Sequence, residues 1–451
     1  MSPPGPRGPA LWQTLRWAWH PVSFLRACEQ EFGDFFQVRL VGGRRYAVLA
    51  NPEAVREVLA AHQTVGNHEL RPFFGDHSLL LSSGDEHLHH RRVLSRVFGM
   101  KTRAEYGEDA LELARHVLSG WQVGEARAIY PHLQYITLRI ILRALFGFRA
   151  GEALEQFCQV LGRAMDRING FILFFSILQR DMGPLTPGRK VQQIKRELDA
   201  MLYAVIRERS ESLSCGPPAC ALDAMLAESG TAFSLEQIRD QLVTLLFAGH
   251  EPTTSALAST LYWIKRAGDV EHRLEPEIEQ FRSNPSVALV TDGLPYLDAV
   301  CREALRIHPV VAVIERVSSE PVELLGCTVP PGVRLSPCVY LLHHRADVFP
   351  EPERFRPERF LERTFEPHEY IPFGGGTRRC IGMHFALIQI KAILAGLLSQ
   401  VRFDIPNLDA VRLAQRGATL GPSENMRFRV LERYQARPQI TSHARTNEQC
   451  W

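Results

Sequence analysis

The chain has 451 residues, of which 45% are hydrophobic and 23% are charged, and its formal net charge is +2. This composition is typical of a folded globular protein and excludes a disordered or fibrous one. The near balance of charge argues against nucleic-acid binding, which usually needs a strongly basic face. The 9 cysteines are scattered without a CxxC pair, so we expect free thiols in a reducing compartment rather than a zinc site.

The first 30 residues predict a short lead-in whose proline- and glycine-rich start is extended. Gln13, Arg16, His20 and Arg26 interrupt every apolar stretch of this region. A membrane span would need roughly 18 or more apolar residues, so we predict neither a signal peptide nor a membrane anchor. We therefore expect a cytoplasmic protein.

Helical periodicity dominates the chain after a predicted hairpin. Residues 36–40 and 45–49 are typical of paired strands around a glycine-containing turn. Apolar residues then recur at helical spacing in a series of segments, which are 52–61, 87–98, 104–118, 131–146, 151–168, 191–211 and 221–228.

A long central helix is predicted next. Ser234 and Gln237 are spaced for a capping box, in which each side chain bonds the backbone N–H of the other residue. The helical pattern continues to about Lys265 and is apolar nearly all round. Such a pattern indicates a helix that is buried in the centre of the molecule.

The remaining sequence combines further helices with short strands. We predict helices at 270–281, 295–306 and 384–401, strands within 322–333 and 416–430, and a proline-punctuated meander at 349–373. No linker divides the chain, so we expect a single large unit that is mainly α with small β-sheets, with α-rich and β-rich regions. We predict that this unit spans residues 31–436 and that 437–451 form a flexible tail.

The strongest chemical signal is a cysteine in a glycine-rich loop. The sequence FGGGTRRCIG spans 373–382 and places Cys380 directly before a predicted helix. Backbone N–H groups and the helix dipole would stabilise a thiolate there. A lone cysteine is more often a buried structural residue, and the local context leaves these two interpretations about even.

The complete pattern resembles the haem-binding signature of the cytochrome P450 family, FxxGxRxCxG. Phe373, Gly376, Arg378, Cys380 and Gly382 match its fixed positions. The resemblance covers residues from about 31 to 430 and implies the cytochrome P450 fold, with haem b between two buried helices. It also implies that Cys380 is the iron ligand and that Phe373 screens the sulfur from water. Without an anchor, the chain is similar to the soluble bacterial members.

A second resemblance concerns a salt-bridge network. Glu303 and Arg306 lie three apart on a predicted helix, which alone is typical of an ordinary surface pair. In this family such a pair precedes a meander containing the sequence PERF, which is present here at 357–360. The resemblance implies that Glu303, Arg306 and Arg359 form a buried structural network that holds the cysteine loop.

The two carboxylates of haem need cationic partners in a dry site. His87 and Arg91 lie four apart and share a helix face, although a solvated basic face would show the same pattern. The resemblance implies that both bind the haem carboxylates, together with Arg316 and Arg378.

The central helix departs from the family pattern for oxygen activation. Ala248, Gly249 and Glu251 match that pattern, but Pro252 stands where the family has an alcohol. Because proline removes a helical hydrogen bond, we predict an opening of the helix at 248–249. Glu251 and Thr253 are the predicted proton-delivery residues. Thr254 or water alone are the alternatives for the hydroxyl, and His250 is predicted to be packed rather than a ligand.

The predicted pocket favours a lipophilic substrate. Its segments are implied by the resemblance, are partly very apolar, and lie at 62–81, 167–182, 244–251, 310–314 and 418–420. Fatty acids, terpenoids and polyketide-like molecules are all compatible, although half of these side chains would be ordinary core.

The implied activity is insertion of one oxygen atom from O2, by hydroxylation or epoxidation, in a protein that we expect to be a monomer. Electrons would come from a separate ferredoxin or flavodoxin with an NAD(P)H-dependent reductase, because no such module is present in the sequence. An acidic partner would be steered by basic residues, which are Arg91, Arg92, Arg96, Arg378 and Arg379. Alternatives are a peroxide-using or oxygen-rearranging enzyme, which Pro252 favours, and a non-catalytic haem- or lipophile-binding protein.

Overall fold

The computed structural model describes residues 2–434 apart from 62–63, 65–69, 168–178, 180, 182, 184–185, 213–217, 229–232, 417 and 424, and without the side chains of 100–103 and 165–167. The predicted tail at 437–451 and much of the apolar pocket segment at 167–182 lie outside the described residues. Within them, no helix is long and apolar enough to cross a membrane.

Two helices that the sequence analysis did not predict occupy the N-terminal region. They are Ala10–Trp19 (α1) and Pro21–Phe32 (α2). The polar residues that appeared to interrupt the apolar pattern attach α1 to the first strand. Gln13 Oε1 accepts the backbone N–H of Arg39 at 2.9 Å, and Thr14 Oγ1 accepts that of Val41 at 2.9 Å. The proline- and glycine-rich start before Ala10 is not helical, and α1 and α2 follow it.

The predicted hairpin is confirmed as strands Phe35–Leu40 (β1) and Arg44–Leu49 (β2), paired antiparallel. Gly42 and Gly43 between them have positive φ angles of 76° and 73°, which favour glycine. The parallel strand Arg334–Pro337 (β7) and then Arg316–Val317 (β4) extend this sheet. The remaining strands are Ala126–Ala128 (β3), Val322–Leu324 (β5), Cys327–Val329 (β6), Val401–Asp404 (β8), Leu413–Arg416 (β9), Thr419–Pro422 (β10) and Arg427–Arg433 (β11).

The helices match most of the predicted segments. In chain order they are Pro52–Ala61 (α3), Arg71–Phe74 (α4), Gly84–Val97 (α5), Met100–Ser119 (α6), Tyr130–Phe146 (α7), Glu152–Arg167 (α8), Pro187–Glu211 (α9), Ala221–Ala227 (α10), Leu235–Arg266 (α11), Val270–Ser283 (α12), Val287–Asp292 (α13), Pro295–Ile307 (α14), Val339–His343 (α15), Arg359–Glu362 (α16) and Met383–Leu398 (α17).

The central helix α11 begins with the expected capping box of Ser234 and Gln237. It packs along α7, α14 and α17, and most of its residues are buried. The helix continues without a break through Pro252, so the opening predicted at 248–249 is absent. Packing against the neighbouring helices outweighs the one hydrogen bond that proline removes, a penalty of about 3 kcal/mol.

The apolar core reflects the α-rich and β-rich regions. One large cluster of buried side chains joins α11 to the surrounding helices. Separate clusters lie beneath the β1–β2–β7 sheet and against the N-terminal helices. The cysteine loop lies before α17, which packs in the helical core, and Gly375 of this loop contacts Leu59 of α3 from the β-rich side.

Candidate active site

The loop before α17 holds Cys380 in a defined position. The backbone N–H of Cys380 donates to the carbonyl of Phe373 at 2.9 Å, which closes the loop. Gly374 and Gly376 have φ angles of 69° and 66°, a region that strongly favours glycine. These glycines allow the chain to turn twice within a few residues and return at the start of the helix.

The exposure and the desolvation of Cys380 together indicate an internal space at the sulfur. The side chain of Cys380 is accessible to solvent. Surrounding protein nevertheless raises the pKa of the thiol by desolvation, against the lowering effects of the Gly382 N–H and of Arg91 and Arg379. These two observations agree if the sulfur faces a cavity that the protein encloses.

The donor set around this cysteine does not suit a bare metal ion. No group of three or more His, Cys, Asp or Glu side chains that could hold a metal ion occurs in the described parts of the chain. A lone thiolate suits iron whose other ligands come from a macrocycle. The fit to haem therefore depends on whether the surroundings can hold its two carboxylates.

A cationic cluster meets that requirement. Burial, together with the nearby charges of Arg378 and Arg91, lowers the pKa of His87 to about 4. Burial also lowers the pKa of Arg378 to about 10, with contributions from Arg316 and Arg91. Arg91 in turn interacts with Cys380. These basic residues thus repel one another close to the sulfur, an arrangement that an anionic group would stabilise.

The hydrogen bonds of the cluster leave donor capacity unused. Arg316 donates to the carbonyls of Glu315 at 2.7 Å and Gly375 at 3.3 Å, but its buried Nε has no partner among the described residues. Arg378 donates to the carbonyl of Leu79 at 3.2 Å and to Ser83 Oγ at 3.2 Å. Both guanidinium groups donate to these neutral oxygens, so the cluster fits the two carboxylates of haem.

A wall of the cavity is formed by the middle of α11. Ala248 is exposed and Phe247, Gly249, Glu251 and Pro252 are partly exposed, although the helix on both sides of them is buried. Such exposure inside a core helix marks an internal space. A side chain at Gly249 would come within 2.5 Å of Ile141 on α7, so this glycine is required for packing between the two helices.

Glu251 has a partner that the sequence analysis missed. The hydroxyl of Tyr130, the first residue of α7, donates to Glu251 Oε1 at 2.6 Å. Tyr130 and Glu251 are 121 positions apart, so no local spacing pattern could have revealed the contact.

The hydroxyls after Pro252 bond within the helical core. Thr253 Oγ1 donates to the carbonyl of Gly249 at 3.3 Å. Thr254 Oγ1 donates to the carbonyl of His250 at 2.9 Å and lies 2.7 Å from Thr137 Oγ1 on α7. His250 is fully buried with Nδ1 at 2.6 Å from the carbonyl of Leu246, which agrees with the expectation of a packed histidine.

The predicted salt-bridge network is present in the structure. Glu303 accepts Arg306 through bonds of 2.7 and 2.8 Å and Arg359 through one of 3.2 Å, and all three residues are buried. Arg306 also donates to the carbonyl of His343 at 2.9 Å, and His343 Nε2 accepts the N–H of Ile371 at 2.9 Å. This unexpected histidine connects the network to a residue just before the cysteine loop.

Several predicted pocket segments meet around α11. Phe74 lies edge-on to Phe247 with ring centroids 5.8 Å apart. The N–H of Leu420 donates to the carbonyl of Val310 at 2.7 Å, which joins the segments at 310–314 and 418–420. Residues 311–314 are partly exposed and apolar.

A lone cysteine in a cavity beside a cationic cluster, within a mainly helical fold, defines a haem-thiolate type of protein. Comparison with known proteins identifies the family. The profile of the cytochrome P450 family matches residues 3–427. The chain belongs to the cytochrome P450 family. It is therefore a haem-b enzyme and an oxidoreductase of the monooxygenase class.

Relatives and solved structures agree with this assignment. Cytochrome P450 135B1 of Mycobacterium tuberculosis is 32% identical over 439 residues, which cover 95% of this chain and 91% of the relative. Cytochrome P450 135A1 of the same species is 30% identical over 401 residues, which cover 87% of this chain and 86% of the relative. A retinoic-acid-bound cyanobacterial structure, CYP120A1, superposes with a TM-score of 0.84 at 25% identity, covering 96% and 99%. The haem domain of cytochrome P450DA superposes with a TM-score of 0.82 at 24% identity, which confirms the fold.

Proposed function

We propose that this cytochrome P450 inserts one oxygen atom from O2 into a lipophilic small molecule, such as a fatty acid, terpenoid or polyketide-like compound, by hydroxylation or epoxidation. The observation that supports the substrate class is the set of partly exposed apolar side chains in the predicted pocket segments, which are Phe74, Phe247 and residues 311–314. Burial of apolar surface would supply most of the binding energy. The retinoic acid of the cyanobacterial neighbour is a compound of this kind.

We assign the cofactor contacts to the thiolate loop and the cationic cluster. Cys380 would ligate the iron, and haem held in this way supplies oxygen activation, which a thiolate donor promotes. His87, Arg91, Arg316 and Arg378 would hold the two carboxylates, and Phe373 would exclude water from the sulfur. The support is the mutual repulsion of these basic residues and the unpartnered Nε of the buried Arg316.

Glu251 and Thr253 are the residues that we propose for proton delivery. Glu251 lies on the partly exposed turn of α11, where its carboxylate can hold a proton beside the cavity. Thr253 bonds the carbonyl of Gly249 on the same turn. The network of Glu303, Arg306 and Arg359 has a structural role, because it fixes the segment that leads to Cys380.

We further propose that a separate ferredoxin or flavodoxin, with its NAD(P)H-dependent reductase, supplies electrons to a monomeric enzyme in the cytoplasm. Pro252 favours a second candidate, a peroxide-using enzyme, because the alcohol of the family pattern is missing.

A screen of fatty acids, terpenoids and polyketide-like compounds for a low- to high-spin shift tests the substrate class. Product formed from the best ligand with ferredoxin, reductase, NADPH and O2 supports the proposal. Product formed only with added peroxide supports the second candidate, and spectral shifts without any turnover contradict both.

A further inference from the structure

A buried polar cluster lies where α7 begins beside the middle of α11. The Tyr130 hydroxyl donates to Glu251 Oε1 at 2.6 Å and lies 3.2 Å from Ser255 Oγ. Ser255 Oγ lies 3.3 Å from Thr419 Oγ1 on β10. The guanidinium of Arg416 lies 3.4 Å from the centre of the Tyr130 ring. Residues of α11 and β9 therefore contact the side chain that holds Glu251, and β10 contacts this cluster through Ser255.

The contact is built to hold a carboxylate. Tyr130 is 5% exposed, and burial is the main reason that its pKa is raised, followed by the charge of Glu251. The hydroxyl therefore keeps its proton and remains a donor at any physiological pH. A hydrogen bond of 2.6 Å from a hydroxyl to a carboxylate is short and is roughly twice as strong as a neutral one.

The other hydroxyls of this turn have different partners. Pro252 carries no hydroxyl. The Thr253 hydroxyl donates to the carbonyl of Gly249, and the Thr254 hydroxyl bonds Thr137 and the carbonyl of His250. Among the described residues, the side-chain hydroxyl bonded to the Glu251 carboxylate is that of Tyr130.

We propose that Tyr130 is a positioning residue for proton delivery by Glu251. Its hydroxyl holds the carboxylate on the side of α11 that borders the cavity, and Ser255 and Arg416 hold Tyr130 itself in place. The inference rests on the proposed role of Glu251. It assigns to this chain a fixed acid–phenol pair at the turn where Pro252 removes the alcohol.

The test compares Tyr130→Phe, Glu251→Gln and the double variant, because Tyr130→Phe keeps the ring over Arg416 and removes only the donor. The assay measures O2 consumption driven by NADPH, ferredoxin and reductase without added lipophile, in H2O and in D2O. Loss of a group that itself transfers the proton lowers a rate by about 10²-fold or more. We expect a smaller fall of roughly tenfold for Tyr130→Phe, because Glu251 is retained but less well placed.

Two further results distinguish positioning from general damage. The solvent isotope effect should rise in Tyr130→Phe, and the Tyr130→Phe substitution should have no further effect in the Glu251→Gln background. Thr137→Val is the matched control, because it removes a hydroxyl contact between the same two helices without touching Glu251. This control should keep the rate and the isotope effect of the parent.

Urea unfolding supplies a readout that does not depend on turnover. If the hydrogen bond exists, the midpoint shifts of the two single variants should not add in the double variant. Additive shifts, or a Tyr130→Phe rate equal to that of the parent while Glu251→Gln is slow, would overturn the inference about Tyr130. A Glu251→Gln rate equal to that of the parent would overturn the role of Glu251 itself, and the inference with it.

Discussion

The protonation of Cys380 is set by opposing effects on one sulfur. Desolvation raises the pKa of the thiol, while the Gly382 N–H and the charges of Arg91 and Arg379 lower it. The net effect is upward, so the protein alone favours the thiol. Because a metal binds the thiolate, haem iron held by Cys380 would displace that proton, and we expect haem binding to release it.

Substitution of this sulfur gives the most direct prediction at the residue scale. We expect Cys380→Ser to abolish the red-shifted ferrous–carbonyl band that thiolate ligation produces, because serine cannot supply a thiolate. Difference spectra of the reduced carbonyl form measure this. Cys327→Ser is the control, because this half-buried thiol lies on β6, and it should keep the band. A Cys380→Ser protein with an unaltered band would contradict the assignment.

The link between α14 and the cysteine loop operates at the scale of elements. Glu303 accepts bonds from two guanidinium groups and from the backbone N–H of Arg356 at 2.8 Å. His343 then connects Arg306 to Ile371, whose carbonyl accepts the N–H of Gly374 at 3.0 Å. The loop that carries the sulfur is therefore attached to a charged centre that is inaccessible to solvent.

We expect Glu303→Ala to abolish haem incorporation. The substitution leaves Arg306 and Arg359 buried without their carboxylate, which typically destabilises a protein by about 3–5 kcal/mol. Haem content per protein and the ferrous–carbonyl spectrum measure the effect. Arg302→Ala on the same helix is the control, because its ion pair with Asp298 is partly exposed and Asp298 keeps its contact with Lys391. Full haem content in Glu303→Ala would refute the structural role.

Residue spacing within one helix predicted some of the contacts around the site but could not predict contacts between distant segments. The pairing of Glu303 with Arg306 was predictable because they lie three positions apart on α14, whereas its burial and the contact with Arg359 followed from the family resemblance. The contact between His343 and Ile371 joins residues 28 positions apart, and its formation depends on how α15 packs. The prediction of the capping box of α11 was correct because a capping box depends on local sequence. The predicted effect of Pro252 was wrong because tertiary packing determined the conformation of the helix there.

Buried histidines govern the acid sensitivity of the whole molecule. Burial lowers the pKa of His308 and His343 to about 3 and that of His87 to about 4. In the unfolded chain a histidine titrates near about 6.5. The unfolded state therefore binds more protons below that pH, and the stability that these groups contribute above about pH 6.5 is lost as the pH falls.

We accordingly expect the urea midpoint to fall between pH 7.5 and about pH 5.5, a range in which most carboxylates stay ionised. His308→Phe should reduce this fall, because phenylalanine can keep the stacking on Tyr262 and has no proton to bind. Equilibrium unfolding at several pH values is the measurement. The exposed His116→Gln should leave the fall unchanged, and an equal fall in His308→Phe and the parent would contradict the linkage.

The distribution of exposed charge should determine how the molecule meets its electron donor. Arg91 and Arg378 were expected to steer an acidic partner, but both are only partly exposed and belong to the cationic cluster. Arg92 and Arg379 are exposed beside this cluster and remain suited to steering, whereas exposed Arg96 lies 3.4 Å from Glu228. Steering of an acidic partner would therefore depend on fewer charges than the sequence indicated.

We expect electron transfer from an acidic ferredoxin to slow as salt rises, because the Debye length shortens from about 10 Å at 0.1 M to about 3 Å at 1 M. The double variant Arg92→Glu/Arg379→Glu should slow the reaction at low salt and weaken its salt dependence. Stopped-flow reduction under carbon monoxide measures both. Arg45→Glu on the β1–β2 hairpin is the control and should behave like the parent. A rate that is independent of salt in the parent would count against docking through these arginines, since exposed charges cannot steer a partner without being screened.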